Sequence, residues 1–518
     1  MKIYPYTADH LSLVLSNDFT HSEVIKTKNH FKYLTDYLGS PDMNTKSIVV
    51  ESNYVSKDYL HDYALYYSLC FTNYSKVCNR VHFFSNHFDE VEFNEVIRSG
   101  ELENQEFWSN YLGFIVVKPI PFTVIGYTVL KTYSTGNNLT DRNFWGIRDY
   151  KVHLYGNEIN LASLAFQEQD SVLSACATTS IWAMLNKASL DFHTTLKSPS
   201  QITKDADKTS FDGSRLFPNK GLSILQICQA IQNSGLVCEI KKYNSKVEYP
   251  KDAIGVSGTC LVVNKSYFQK ILNAYSEIGI PIIAIISVPN SNSYGLHAIS
   301  ISGFKKNAPT LIPPREEISW LSDNIEKFYA HDDQWGPFAR VYYQDETSFI
   351  TPWTQFHHQQ WPTFVTNVIV PLYPKIRISY EDIEFLILGL DRILTFFFKE
   401  GLLGDLVWDI KLNYSENFKR TVKNSLLDND YKLSFISASY PKYIWISTCF
   451  IGDQKVFDIT FDATDIKLAM IGLDFICYFP QLKPTLKDFL INNRAKLEPL
   501  FNHNSKTAYY DFLIRKLV

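Results

Sequence analysis

Hydrophobic residues recur along the chain in two periods, and the switches between them mark its elements. The run GFIVVKPIPFTVIGYTVLKTY, 113–133, is rich in β-branched residues and interrupted by Pro119, Pro121 and Gly126, which predicts two or more strands. Before it, the aromatic stretch 56–84 is apolar on several faces and predicts one long helix. A polar, turn-rich segment, STGNNLTDRN, 134–143, follows. In QDSVLSACATTSIWAML, 169–185, a polar turn gives way to Ala177, Ile181, Trp182 and Leu185, which put one side of a helix inward. Ser174 is its expected N-cap, and this places Cys176 in the first turn. After a polar loop, 193–220, a second helix is predicted over 221–236. Leu222, Leu225, Ile227, Ala230 and Ile231 form its buried face, and Gly235 ends it. Strands follow at 258–264, 280–288, 297–304 and 328–333. The last part mixes an apolar helix, ISYEDIEFLILGLDRILTFFFKE, with strands such as KYIWISTCFI and VFDITFDATD.

Helices followed by strands within one stretch predict an α+β fold. Three spans are expected: 1–150, 151–375 and 376–518, with the first and last as α+β flanking domains. No internal repeat or low-complexity tract interrupts them.

Composition narrows the function classes. With 45% hydrophobic and 20% charged residues, the 518-residue chain has enough apolar material for several cores. Its net charge is −4 and no Lys/Arg run stands out, so no nucleic-acid face is expected. The most apolar segment, 385–398, carries Asp391 and Arg392, and no run reaches the roughly 18 residues of a membrane span. The N-terminus lacks a basic start followed by an apolar run. Eight cysteines occur without a CxxC pair, which favours reduced thiols. A cytoplasmic protein is the expectation. Phosphate-binding glycine loops and a serine-nucleophile elbow are missing from the sequence, so no cofactor is expected. His331, Asp332, Asp333, His357 and His358 are metal-capable, but their spacing matches no ligand motif, and no metal is expected either.

The remaining chemistry centres on Cys176. A thiol attacking an acyl carbon needs thiolate character, a neighbouring base, a group orienting that base, and donors for the developing oxyanion. A helix N-terminus lowers a thiol pKa and offers free N–H groups. His297, opening the alternating strand HAISISGF, is the candidate base. Asp333 is the candidate orienting group, with Asp332 its competitor, because strand alternation turns only one of them toward His297. Gln169 is the candidate oxyanion donor, with Gln167 as its competitor.

Taken together, Gln169, Cys176, His297, and DQWG at 333–336 resemble the papain-like cysteine peptidases. DQWG is similar to that family's Asn-Ser-Trp-Gly, and HAISISG to the strand opening of the double-glycine leader peptidases in the same superfamily. Departures are Ala177 where papain-type enzymes have Trp, a Gln one position further from the Cys, and a long insertion between His297 and Asp333. The resemblance covers roughly residues 155–345. It implies a central Cys-bearing helix packed on an antiparallel sheet, a Cys176–His297–Asp333 triad shielded by Trp335, and a peptide or protein substrate. Acyl transfer, transglutamination and deamidation share the same acyl-enzyme, and a scaffold with an idle site is the alternative outside catalysis.

Overall fold

The computed structural model describes residues 1–99, 104–135, 141–170, 175–192, 194–206, 221–253, 258–290, 293–307, 318–356, 361–399, 406–465, 472–501 and 506–517. The chain is α+β, and it divides into two compact units, each discontinuous in sequence. The first comprises Met1–Asn264, Ile280–Lys305 and Glu326–Pro371; the second comprises Lys265–Gly279, Lys306–Ile325 and Leu372–Val518. Thus the expected first span belongs to the same unit as most of the middle one. Two middle segments, Lys265–Gly279 and Lys306–Ile325, belong with the C-terminal span instead.

The first unit opens with a five-stranded antiparallel sheet of Lys2–Pro5, Ser47–Tyr54, Cys78–Phe84, Tyr111–Val117 and Ile125–Leu130, in that order. The strands predicted over 113–133 are the last two. The long helix expected over 56–84 is not formed. A helix, Lys57–Leu65, and a short 3-10 turn end before a polar loop, and Cys78–Phe84 becomes a strand paired on both edges. This strand is buried on both faces, Arg80 and His82 included, so it lacks the apolar–polar alternation that marks a half-buried strand.

The sheet that carries the candidate chemistry has eight strands. We number them β1 (Asp141–Asn143), β2 (Val237–Lys241), β3 (Ile282–Asn290), β4 (Ser293–Lys306), β5 (Ile325–Asp332), β6 (Gly336–Tyr343), β7 (Phe349–Ile350) and β8 (Phe364–Leu372). Their order is β7-β6-β5-β4-β3-β8-β2, with β1 also paired to β4. The central β3 is buried along nearly its whole length, which suits Ile-rich IPIIAIISV, and it pairs antiparallel with both β4 and β8. Helix Cys176–Phe192 packs on this sheet: Ala177, Ile181, Trp182 and Leu185 are buried, and Ser180 Oγ donates to the Ala298 carbonyl of β4 at 2.9 Å. The expected N-cap, Ser174, lies outside the described residues.

The helix predicted over 221–236 runs Ile224–Gln232. It starts at a capping box in which Ser223 and Gln226 satisfy each other's backbone N–H groups. Gly235, at φ +96, supplies the left-handed conformation that ends it. Leu225, expected on the buried face, is instead 78% exposed. It sits in the first turn, one residue past the arc that holds Ile227, Cys228, Ala230 and Ile231 inside.

In the second unit, strand Leu406–Tyr414 pairs in parallel with the short Ser319–Trp320 and antiparallel with Tyr443–Ile451; Gln454–Asp462 and Gly472–Cys477 complete the sheet. Helix Tyr380–Lys399 holds the apolar run that carries Asp391 and Arg392. Asp391 Oδ1 accepts from Trp408 Nε1 at 2.8 Å and Arg392 is exposed, so a largely buried helix tolerates both. Among the described residues no helix is long and apolar enough to cross a membrane.

Candidate active site

The three sheet elements expected to carry the chemistry converge. The helix begins at Cys176, which is partly exposed, whereas Cys78, Cys228, Cys260, Cys449 and Cys477 are buried. On β4, His297 sits opposite Ile286 of β3, with β5 on the other side. Where β5 ends, His297 Nε2 donates to Asp332 Oδ1 at 2.9 Å. Nε2 is thereby committed, and Nδ1 is the ring nitrogen left for Cys176, one of the groups that raise the pKa of the imidazole.

The hydrogen-bonded carboxylate is therefore Asp332, not the favoured Asp333. Asp333 is nevertheless close, with Oδ1 3.4 Å from the same Nε2. Alternation allowed only one of the two to reach the ring, but alternation stops here. The β5–β6 register shifts between Ala330 and Asp332, and residues 333–335 form a turn closed by Trp335 N–H to the Asp332 carbonyl at 2.9 Å. Two consecutive side chains can then converge on one point.

Their environments differ. Asp332 Oδ1 also accepts the Gln334 N–H at 3.1 Å, and Oδ2 accepts Trp353 Nε1–H at 2.8 Å. Burial pushes its pKa up, but the His297 charge and hydrogen bond, then these donors, outweigh burial and hold it below the ordinary carboxylate value. Among the described residues neither oxygen of Asp333 has a hydrogen-bond donor, and the residue is 4% exposed. The Thr179 hydroxyl beside it gives its proton to the Cys176 carbonyl at 2.8 Å. Burial, reinforced by Asp332 and opposed by His297, pushes the Asp333 pKa up to about 7. For His297 burial disfavours the charge, but Asp332 and then Cys176 outweigh it and raise its pKa well above the ordinary value.

Trp335 is buried, as the shielding role requires, yet the ring against the imidazole belongs to Trp353. The two tryptophans pack edge-on with centroids 6.0 Å apart, and Trp353 meets His297 at 5.3 Å. No local motif marks Trp353, since it sits in the short helix Pro352–Phe356 beyond β7. Gln169 is partly buried. Gln167 is buried, and its Nε2 has no acceptor among the described residues. His331 is structural: Nε2 donates to the Leu164 carbonyl, Nδ1 accepts the Phe338 N–H, and burial lowers its pKa to about 4. His357 and His358 lie outside the described residues.

One ligand atom each from His297, Asp332 and Asp333 lies within 4.8 Å of the others, a nitrogen-and-oxygen set able to hold a borderline divalent cation. Such an ion would compete for the nitrogen that now donates to Asp332. Compared with known proteins, the chain matches no family model and no curated protein.

Proposed function

We propose that the protein is a papain-like thiol hydrolase cleaving an amide bond, with Cys176 as nucleophile, His297 as base and acid, and Asp332 as the orienting carboxylate. The observation that carries this reading is the hydrogen bond of His297 Nε2 to Asp332, on an imidazole whose pKa is raised by Asp332 and then by Cys176. The Cys176 thiolate, at the positive end of its helix, forms a bond to the acyl carbon while His297 holds the proton. The tetrahedral oxyanion receives the Cys176 backbone N–H and a glutamine amide, from Gln167 or Gln169. Collapse breaks the C–N bond as His297 Nδ1 hands its proton to the leaving amine. Water, deprotonated by the same nitrogen, then releases the acid and regenerates the thiol.

The test is carbamidomethylation with iodoacetamide at mildly acidic pH, scored for each cysteine by mass spectrometry. Selective modification of Cys176, lost in His297→Ala, is the expected result. Uniform slow labelling of all eight thiols would refute the hydrolase and leave a scaffold. A divalent-cation site on His297, Asp332 and Asp333 is the second reading, favoured by the approach of their ligand atoms. Zinc titration of Cys176→Ser separates the two, because that variant keeps the three cation ligands and loses the nucleophile.

A further inference from the structure

We infer that His30, far upstream in the sequence, is a positioning residue of this thiol site, fixing the acid-bearing turn through a hydrogen bond to its backbone. The inference rests on the thiol-hydrolase reading. The turn after Asp332 links β5 to β6, and an outside anchor reaches its backbone. That anchor is His30 on helix Asn29–Gly39: Nε2 donates to the Asp333 carbonyl at 2.8 Å, and the ring is 6% exposed. Its other nitrogen, Nδ1, lies 3.6 Å from Glu168 Oε1. Glu168 is itself fixed, accepting the Ile125 N–H at 3.1 Å on Oε2 and Lys28 Nζ on Oε1. Glu168 stands between Gln167 and Gln169, so the ring packs beside that segment while its one hydrogen bond goes to the Asp333 carbonyl.

The same helix grips the turn a second time. Tyr33 OH donates to the Pro337 carbonyl at 2.5 Å, and its ring lies 2.1 Å from where a Cβ on residue 336 would stand, so Gly336 is required there. A histidine wanted only for packing needs no directed hydrogen bond. This one donates to the backbone of the residue that follows the orienting carboxylate. Burial lowers the His30 pKa, with Glu168 opposing, which favours the neutral ring that donates through Nε2. A displacement of about 1 Å in such a support can cost on the order of 10²-fold in rate.

The experiment compares full-length wild type, His30→Ala and His30→Gln for the rate of Cys176 alkylation against pH, with thermal midpoints alongside. His30→Ala should slow labelling roughly tenfold and move its pH profile. His30→Gln, whose amide can still donate to the Asp333 carbonyl, should restore most of both. If His30→Ala labels at the wild-type rate with an unmoved profile, the positioning role is wrong while the thiol reading stands. If alanine and glutamine are equally slow, the hydrogen bond is not the cause and the role is again wrong. Wild-type Cys176 no more reactive than the other thiols would sink both.

Discussion

Asp458 and Asp333 are both buried carboxylates, one in each compact unit, and the chain treats them differently. Asp458 lies on strand Gln454–Asp462 of the second unit and is 1% exposed. It accepts from Thr448 Oγ1 at 2.7 Å, Tyr478 OH at 2.7 Å and Lys455 Nζ at 2.5 Å. Asp333, in the first unit, has no donor on either oxygen among the described residues. The sequence can surround a buried acid with hydrogen-bond donors where stability requires it. At the end of β5 it instead places two acids against one histidine and serves only the first. Such a local cost marks a place shaped for something other than stability.

The largest expected effect breaks the satisfied member. Asp458→Ala leaves two hydroxyls and an ammonium without their acceptor, and should lower the stability of the second unit by about 3 kcal/mol, read from its transition in urea. Asp333→Asn should cost less than about 1 kcal/mol, because no hydrogen bond is lost. Equal losses would erase the distinction. Next in size is the contrast within the pair. Asp332→Asn should slow Cys176 alkylation by ~10²-fold, as the imidazole loses its orienting charge, whereas Asp333→Asn should retain most of the rate. The reverse ranking would make Asp333 the orienting group after all.

A smaller effect follows from pH, measured with a chelator present. The folded pKa of Asp333 is raised to about 7 by burial, so the carboxyl favours folding when protonated. That contribution is complete below the ordinary carboxylate value and is lost as pH rises through about 7. Asp332, held low, contributes in the opposite sense: its stabilisation is present above the ordinary value and lost as pH falls through the depressed one. Thermal midpoints of Asp333→Asn should therefore gain on wild type as pH rises from the ordinary carboxylate value to about 7 and then level off; parallel curves would show that Asp333 is not strained. The smallest effect is expected from Gln169→Ala. Alkylation at a saturated carbon develops no oxyanion, so the labelling rate should not change, and a clear loss would mean that the glutamine shapes the thiol itself.

Much of the site was legible in the sequence because it depends on local periods. A helical pattern after a polar turn placed Cys176 at a helix start, and alternation placed His297 on a strand beside the strand ending in two aspartates. Alternation could not tell that both Asp332 and Asp333 reach His297, since alternation holds only while the strand continues, and here a register shift and a turn intervene. Trp353 and His30 were missed because their roles are tertiary. The His30–Asp333 hydrogen bond joins residues 303 apart, and no local pattern encodes it. The region 56–84 misled because a strand buried on both sides loses the alternation that distinguishes it from a helix.

The interleaving of the two units bears on how the chain is made. Helix Lys265–Tyr275 buries Phe268, Ile271 and Leu272 within the second unit, and Asn273 Nδ2 donates to Asp409 on the strand Leu406–Tyr414, 136 residues further on. During synthesis this apolar helix emerges long before the strand that covers it, and must stay uncovered while β3 to β8 are still being translated. A fragment stopping near residue 375 would carry the same sticky surface permanently, which gives chaperones a reason to attend this polypeptide from the ribosome onward.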